Sequence, residues 1–286
     1  MSPKTVPPVI RAALWMSGAL VSFSAMAISG RQLSAELTTF QILFFRSVGG
    51  LALLAMFLQR SGWAQVRTRV FGTHLLRNLI HFGGQYAWFY GIALIPLAEV
   101  FAIEFTVPIW TAILATIFLG ERMTRLRAMA VVLGFAGILV ILRPGVEAIS
   151  VPALVVLGGA LCFAISHVFV KRLTRTETPL TIPFYMTAIQ LPISLLPALP
   201  HWVWPSGGMW LWVGVVAVTA ISAHYCMARA FQLADATVVV PMDFLRLPLI
   251  AVIGFAFYGE ALTVWVFIGG LIVCIATWLN LKSAAK

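Results

Sequence analysis

Glu104 and Asp243 are the residues of this 286-residue chain best suited to chemistry, because each is an acid inside an apolar stretch and the two coincide when the chain is laid on itself. At one constant offset of 139 residues, Tyr86 falls on Tyr225, Leu94 on Leu233, Glu104 on Asp243, Ala112 on Ala251, Phe118 on Phe257 and Gly120-Glu121 on Gly259-Glu260. An ionisable side chain in a bilayer interior costs about 2.5 to 3.5 kcal/mol on insertion scales, so it faces a cavity or a partner. A carboxylate held there suits two tasks, exchanging a proton or receiving the ammonium group of a substrate.

The same filter selects the other candidates. Arg46 and Glu104 lie roughly 10 Å from the outer end of their predicted helices at 1.5 Å per residue, so a salt bridge or shared hydrogen-bond network between them is expected. Asp243 and Arg246 are three residues apart and share a helix face, forming the inverted counterpart of the Glu104 region. Arg77, His81 and Gln85 follow one stripe at i, i+4 and i+8, with Tyr86 beside it. Arg77 is expected to snorkel to the cytoplasmic interface and His81 and Gln85 to face the cavity. His167, His224 and Arg229 fall nearer the cytoplasmic end and are expected at the interface. Tyr185 stands in the second half where the first has Arg46, so the halves line the cavity differently. The candidate substrate-binding set is Arg46, His81, Gln85, Tyr86, Glu104, Tyr185, Asp243 and Arg246. Most aromatics belong to core or lipid-facing surface, and Trp202, Trp204, Trp210 and Trp212 mark an outer interface belt.

These residues need elements that hold them in a membrane. A hydrophobic fraction of 61% with 10% charged residues leaves too few polar side chains to cover a soluble globule. Taking about 20 apolar residues per span, ten candidate helices run 10–29, 39–59, 72–93, 98–119, 127–143, 152–171, 182–199, 209–231, 236–257 and 264–282. The net charge of +10 orients the chain and needs no nucleic-acid partner. With the N-terminus in the cytoplasm, most Lys and Arg fall inside, only Arg31 and Arg143 outside, and Arg46, Arg77, Arg229 and Arg246 within spans. Both termini are therefore expected in the cytoplasm.

Lys4, Arg11 and Ala25-Met26-Ala27 imitate a signal peptide with its cleavage site. Gly18-Ala19-Leu20 recurs, however, as Gly159-Ala160-Leu161, and Arg31 meets Arg172 at the same offset, so the segment reads as the first helix of the repeat. Five spans per half is an odd number, which makes the second half enter from the opposite side. The expected fold is all-α and integral to the membrane, ten transmembrane helices in two inverted five-helix repeats, residues 1–146 and 147–286. Inverted repeats can exchange conformations and open a central site alternately to each side. Pro108 and Pro248 interrupt helices 4 and 9 at near-equivalent positions, a pointer to a midplane site. Gly49-Gly50, Gly83-Gly84 and Gly269-Gly270 permit close helix approach.

Cys162, Cys226 and Cys274 are scattered without metal-ligand spacing, so neither a metal, a disulfide nor a cofactor is expected. No Walker-type phosphate loop is present, so energy comes from a gradient or from the substrate. Phe44-Phe45-Arg46, Pro96-Leu97-Ala98-Glu99, Gly120-Glu121-Arg122, Gly134-Phe135-Ala136-Gly137, Arg143-Pro144-Gly145 and Asp235-Ala236-Thr237 before Gly259-Glu260 resemble the drug/metabolite transporter superfamily in its bacterial EamA-type branch. The resemblance covers essentially the whole chain. It implies a multi-pass carrier of the bacterial inner membrane working by alternating access on small metabolites. Because the candidate cavity offers both signs of charge, amino acids or their derivatives, moved outward, are the expected substrates. The alternative is uptake or exchange of an organic cation or nucleoside-type metabolite. An intramembrane enzyme would have to rely on His81 with Asp243, and no catalytic residue is assigned. Expected partners are the small-molecule substrate, the lipid bilayer and protons, with the chain acting as a monomer.

Overall fold

The structure, a computed structural model, describes residues 7–95, 97–142, 150–250, 252 and 263–284. Its helices, in order, are α1 (Pro8–Leu33), α2 (Thr39–Ser61), α3 (Phe71–Leu94), α4 (Leu97–Glu104), α5 (Val107–Leu119), α6 (Arg125–Leu142), α7 (Val151–Leu173), α8 (Thr181–Ala198), α9 (Met209–Leu233), α10 (Ala236–Val239) and α11 (Val264–Ala284). A 3-10 segment, Val240–Leu245, continues α10, and residues 246–250 are helical again. Arg143-Pro144-Gly145, Pro96, Ala251, Phe257, Tyr258 and Gly259-Glu260 lie outside the described residues.

Local signals explain where these helices begin and end. Thr38 and Gln41 form a capping box at the start of α2, each side chain meeting the other's backbone N–H. The Ser150 hydroxyl accepts the Ala153 N–H at 3.3 Å at the start of α7. Gly62 and Gly120 stop α2 and α5 with φ of 95° and 68°, a backbone conformation that strains other residues.

Among the described residues, α1, α2, α7, α9, α11 and α8 with its following turn are long and apolar enough to cross a bilayer, and α5 is a shorter apolar helix. α3, 24 residues long, lowers its hydropathy with His74, Arg77, Asn78, His81 and Gln85, all of them buried. The outside is the reverse: Leu14, Phe118 and Leu211 are 67%, 70% and 69% exposed, while Arg46, Arg77 and Arg246 are 0%, 1% and 1% exposed. Charges inside and large apolar side chains outside is what a lipid solvent selects. The protein is an all-helical, multi-pass membrane protein.

Two of the ten expected spans are not continuous helices. The 98–119 span breaks into α4 and α5, and the 236–257 span begins as α10 followed by the 3-10 segment. Proline supplies the physical reason at both places, since it carries no N–H and cannot bond the carbonyl four residues before it. Pro108 cannot reach Glu104, nor can Pro241 reach Thr237. At the first break the Thr106 N–H and hydroxyl both turn to the Ile103 carbonyl, at 3.0 and 2.7 Å.

Packing between the elements repeats across the two halves. α1 lies along α9 and α3 along α7, while α2 meets α8 and α6 meets α11. At the α6–α11 crossing a Cβ on Gly269 would stand 2.6 Å from the Gly137 carbonyl oxygen, so only glycine permits that approach. Arg31, at the end of α1, donates to the Ile92 and Ile95 carbonyls that end α3. Lys171, at the end of α7, donates at 2.7 Å to each of the Phe231 and Ala234 carbonyls that end α9. Those acceptors are related by the same offset of 139 residues. Lys171, rather than Arg172, is thus the counterpart of Arg31 in this role.

Candidate functional site

The two helix breaks face each other, and the acid pair sits on them. Glu104 is the last residue of α4, and Asp243 lies in the 3-10 segment. One turn beyond Asp243, Arg246 joins them: its Nη2 stands 2.7 Å from Glu104 Oε1 and 2.8 Å from Asp243 Oδ2. Trp88 Nε1 donates to the other Glu104 oxygen at 2.7 Å. The guanidinium carbon lies 5.4 to 5.5 Å from the ring centres of Phe23, Phe101 and Phe105, so aromatic rings surround the cation. Asp243 Oδ1, Arg246 Nε and Gln85 Oε1 are buried without a hydrogen-bond partner. Buried polar atoms of this kind await a ligand or water.

These groups line a cavity of about 40 Å³ with walls from α1, α3, α7 and α9 and from both breaks. Such a volume holds a few waters and no metabolite, so a substrate requires the walls to separate.

Five of the eight candidate residues come together here: His81, Gln85, Glu104, Asp243 and Arg246. The other three do not. Arg46 donates instead to Gln190 Oε1 at 3.4 Å and faces Met186 Sδ at 3.7 Å. The expected Arg46–Glu104 bridge is replaced by Arg246–Glu104, because α2 packs on α8 and the second break delivers Arg246 to the acid. Tyr86 packs against Phe40 and Tyr90, with ring centres at 4.7 and 5.9 Å. Tyr185 donates its hydroxyl to the Val66 carbonyl at 2.9 Å and lies 4.5 Å from the His74 ring, so it pins the connection after α2. Arg77 does not snorkel; it is buried and donates to Asn78 Oδ1 at 2.6 Å.

Sequence reasoning assigned His167 and His224 to the interface, yet both line the cavity. Phe163 and His167 are four apart, and Phe163 with His224 meets the His81 ring at 5.5 and 5.0 Å. Trp88 continues the His81–Gln85 stripe by three residues, a signal present in the sequence. Among the described residues no group of three or more His, Cys, Asp or Glu is arranged to hold a metal ion.

A second polar network ties the first break's helix to the second break. The Glu121 carboxylate accepts the N–H groups of Ala236 and Thr237, both at 2.9 Å, capping α10 from the end of α5. Arg127 bonds Asp235 at 3.2 Å and the Thr237 hydroxyl at 2.9 Å. These bonds tie α10, which leads into the segment carrying Asp243, to the α5–α6 turn.

Comparison with known proteins agrees with this architecture. The sequence profile of the EamA-like transporter family matches residues 10–143 and again 151–282. The S-adenosylmethionine uptake transporter of Rickettsia felis is 28% identical across 95% of this chain and 92% of that protein. The riboflavin transporter of Rhizobium johnstonii is 30% identical across 96% and 92%. A protein of solved crystal structure, 18% identical, superposes with a TM-score of 0.81 over 96% of this chain and 97% of that one, a likeness of fold.

Proposed function

Because the chain belongs to the EamA-like transporter family of the drug/metabolite transporter superfamily, we propose that it carries a cationic or zwitterionic metabolite with a heteroaromatic ring across the bacterial inner membrane by alternating access. It is a secondary transporter and not an enzyme. The observation that carries the substrate reading is the Glu104–Arg246–Asp243 cluster with its partner-free Asp243 Oδ1. Two carboxylates against one guanidinium leave the cavity in need of positive charge. Trp88, Phe23 and Phe163 on its walls suit a ring that stacks. A sulfonium or ammonium group at Asp243 and a base against the aromatics describe the chemistry of S-adenosylmethionine, itself an amino-acid derivative.

The S-adenosylmethionine relatives are named for uptake, which favours that direction over the outward one expected from the sequence, whereas another relative is named an exporter; none of these is named for amino-acid export. Riboflavin is the second reading, favoured by the aromatic lining; a neutral flavin leaves the carboxylate excess unanswered. The halves, divided near residues 146 and 147, act as inverted repeats, which the mirrored α1–α9 and α3–α7 contacts and the matched Arg31 and Lys171 caps support. Both termini then face the cytoplasm, and ten passes result when the two broken segments each complete a crossing.

Counterflow in proteoliposomes tests the substrate class, using S-adenosylmethionine, riboflavin and a panel of amino acids, with and without a pH gradient. Saturable counterflow of S-adenosylmethionine is expected. Counterflow of amino acids alone would overturn the reading, and counterflow of riboflavin alone would establish the second one.

A further inference from the structure

The interior holds a second cluster of charge, opposite in sign to the acid cavity. Arg46 on α2 and Arg77 on α3 are fully buried, and neither forms an ion pair with a carboxylate among the described residues. Their side-chain hydrogen-bond partners are neutral: Gln190 and Met186 for Arg46, Asn78 for Arg77. Gln190 knits the cluster together, its Nε2 lying 3.4 Å from the Asn78 carbonyl and 3.2 Å from His81 Nδ1. Glu177, on the α7–α8 connection, is already engaged with the Thr68 hydroxyl at 2.7 Å and faces His74 at 3.9 Å. The Nε atoms of both arginines and the Asn78 amide nitrogen are buried without partners.

Two guanidiniums buried without a counter-ion are costly, and their unused N–H groups are donors without an acceptor. The planar fork of arginine matches a carboxylate or a small spherical anion better than any neutral amide does. His81 belongs to both clusters, lining the acid cavity while bonding Gln190. His81 is therefore the residue at which the two clusters touch.

We propose that Arg46 and Arg77, with Asn78 and Gln190, form an intramembrane anion site for a small monovalent anion, supplied either as the carboxylate of the substrate or as free chloride. The carboxylate source rests on the transport reading above; the anion site itself does not. The interior is then bipolar about His81, acid-rich on one side and guanidinium-rich on the other, a layout that spans a zwitterion.

Binding of radioactive chloride to the purified full-length protein tests this, with S-adenosylmethionine and its decarboxylated analogue as competitors. Wild-type protein is expected to bind chloride saturably, Arg46→Gln and Arg77→Gln to weaken it at least tenfold, and Arg46→Lys, which keeps the charge and loses the fork, to weaken it less. Displacement by S-adenosylmethionine and not by the decarboxylated analogue identifies the substrate carboxylate; indifference to both identifies free chloride. Absence of saturable binding, with equal affinity for the two competitors in wild type and Arg46→Gln, overturns the site. Should the glutamine variants fail to fold, wild type and Arg46→Lys decide by the same competition. Intact chloride binding with no S-adenosylmethionine counterflow rejects the substrate reading alone.

Discussion

At the scale of single residues, the site is governed by how buried charge is shared. Arg246 answers both acids, and Glu104 receives a second donor from Trp88. Hydrogen bonds to charged groups contribute about 1.5 to 3 kcal/mol each, so removing one end is expected to cost about tenfold to a hundredfold in substrate affinity. Glu104→Gln and Asp243→Asn are each expected to lower counterflow by that order in correctly inserted protein, and unchanged flux in the double variant would remove the acids from the mechanism. Trp88→Phe keeps the ring and loses the donor; about a tenfold weaker apparent affinity with little change in maximal rate is the expected result in the same assay. Glu104 and Asp243 were legible in the sequence because an acid in an apolar run has few explanations. Arg246 as the partner of Asp243 was legible from spacing, but its bond to Glu104 was not, since spacing says nothing of what lies across the bundle.

At the scale of elements, the breaks and caps decide where those residues stand. Pro108 was visible as a helix breaker, but its expected counterpart Pro248 lies within the helical residues 246–250, and the second break falls at Pro241 in the 3-10 segment. Lys171 holds the last carbonyls of α9 just before α10. Lys171→Met leaves both acceptors without their cation, and a melting temperature in detergent several degrees below that of wild type is expected, with Lys171→Arg close to normal. The loop after α1 is fastened differently. Glu36 accepts the Ser206 N–H at 3.0 Å and its hydroxyl at 2.6 Å, and these bonds hold its carboxyl below the usual carboxylate range. A depressed value means the clamp is present above the ordinary carboxylate pKa and is lost as pH falls through the lowered one. After correction for intrinsic rates, amide exchange at Ser206 should rise between pH 7 and pH 3, and Glu36→Gln at pH 7 should already show the faster rate.

At the scale of the whole molecule, a cavity of about 40 Å³ is too small for a metabolite, so transport requires the bundle to open. In the proposed alternating-access cycle the Glu121 cap on α10 is the contact that gives way on one side. Glu121→Gln weakens the hold on two N–H groups, and a cysteine placed at Asp235 is expected to react faster with an impermeant maleimide from the cytoplasmic side than the same cysteine beside native Glu121; equal rates would free the cap of any gating role. A fluorescent protein fused after Lys286 should mature, and alkaline phosphatase there should stay inactive, if both termini are cytoplasmic. By itself the sequence determined the solvent, the approximate helices, the duplication and the acid pair, because hydropathy, charge placement and a constant offset are properties of the chain in order. Only the tertiary structure decided that Arg246 and not Arg46 answers Glu104, that Tyr185 and Tyr86 stand apart from the cavity, and that His167 and His224 enter it. The reason is physical: periodicity gives the direction of a side chain around its own helix, whereas partners depend on which helix packs against which, and that is settled by close packing across the two halves.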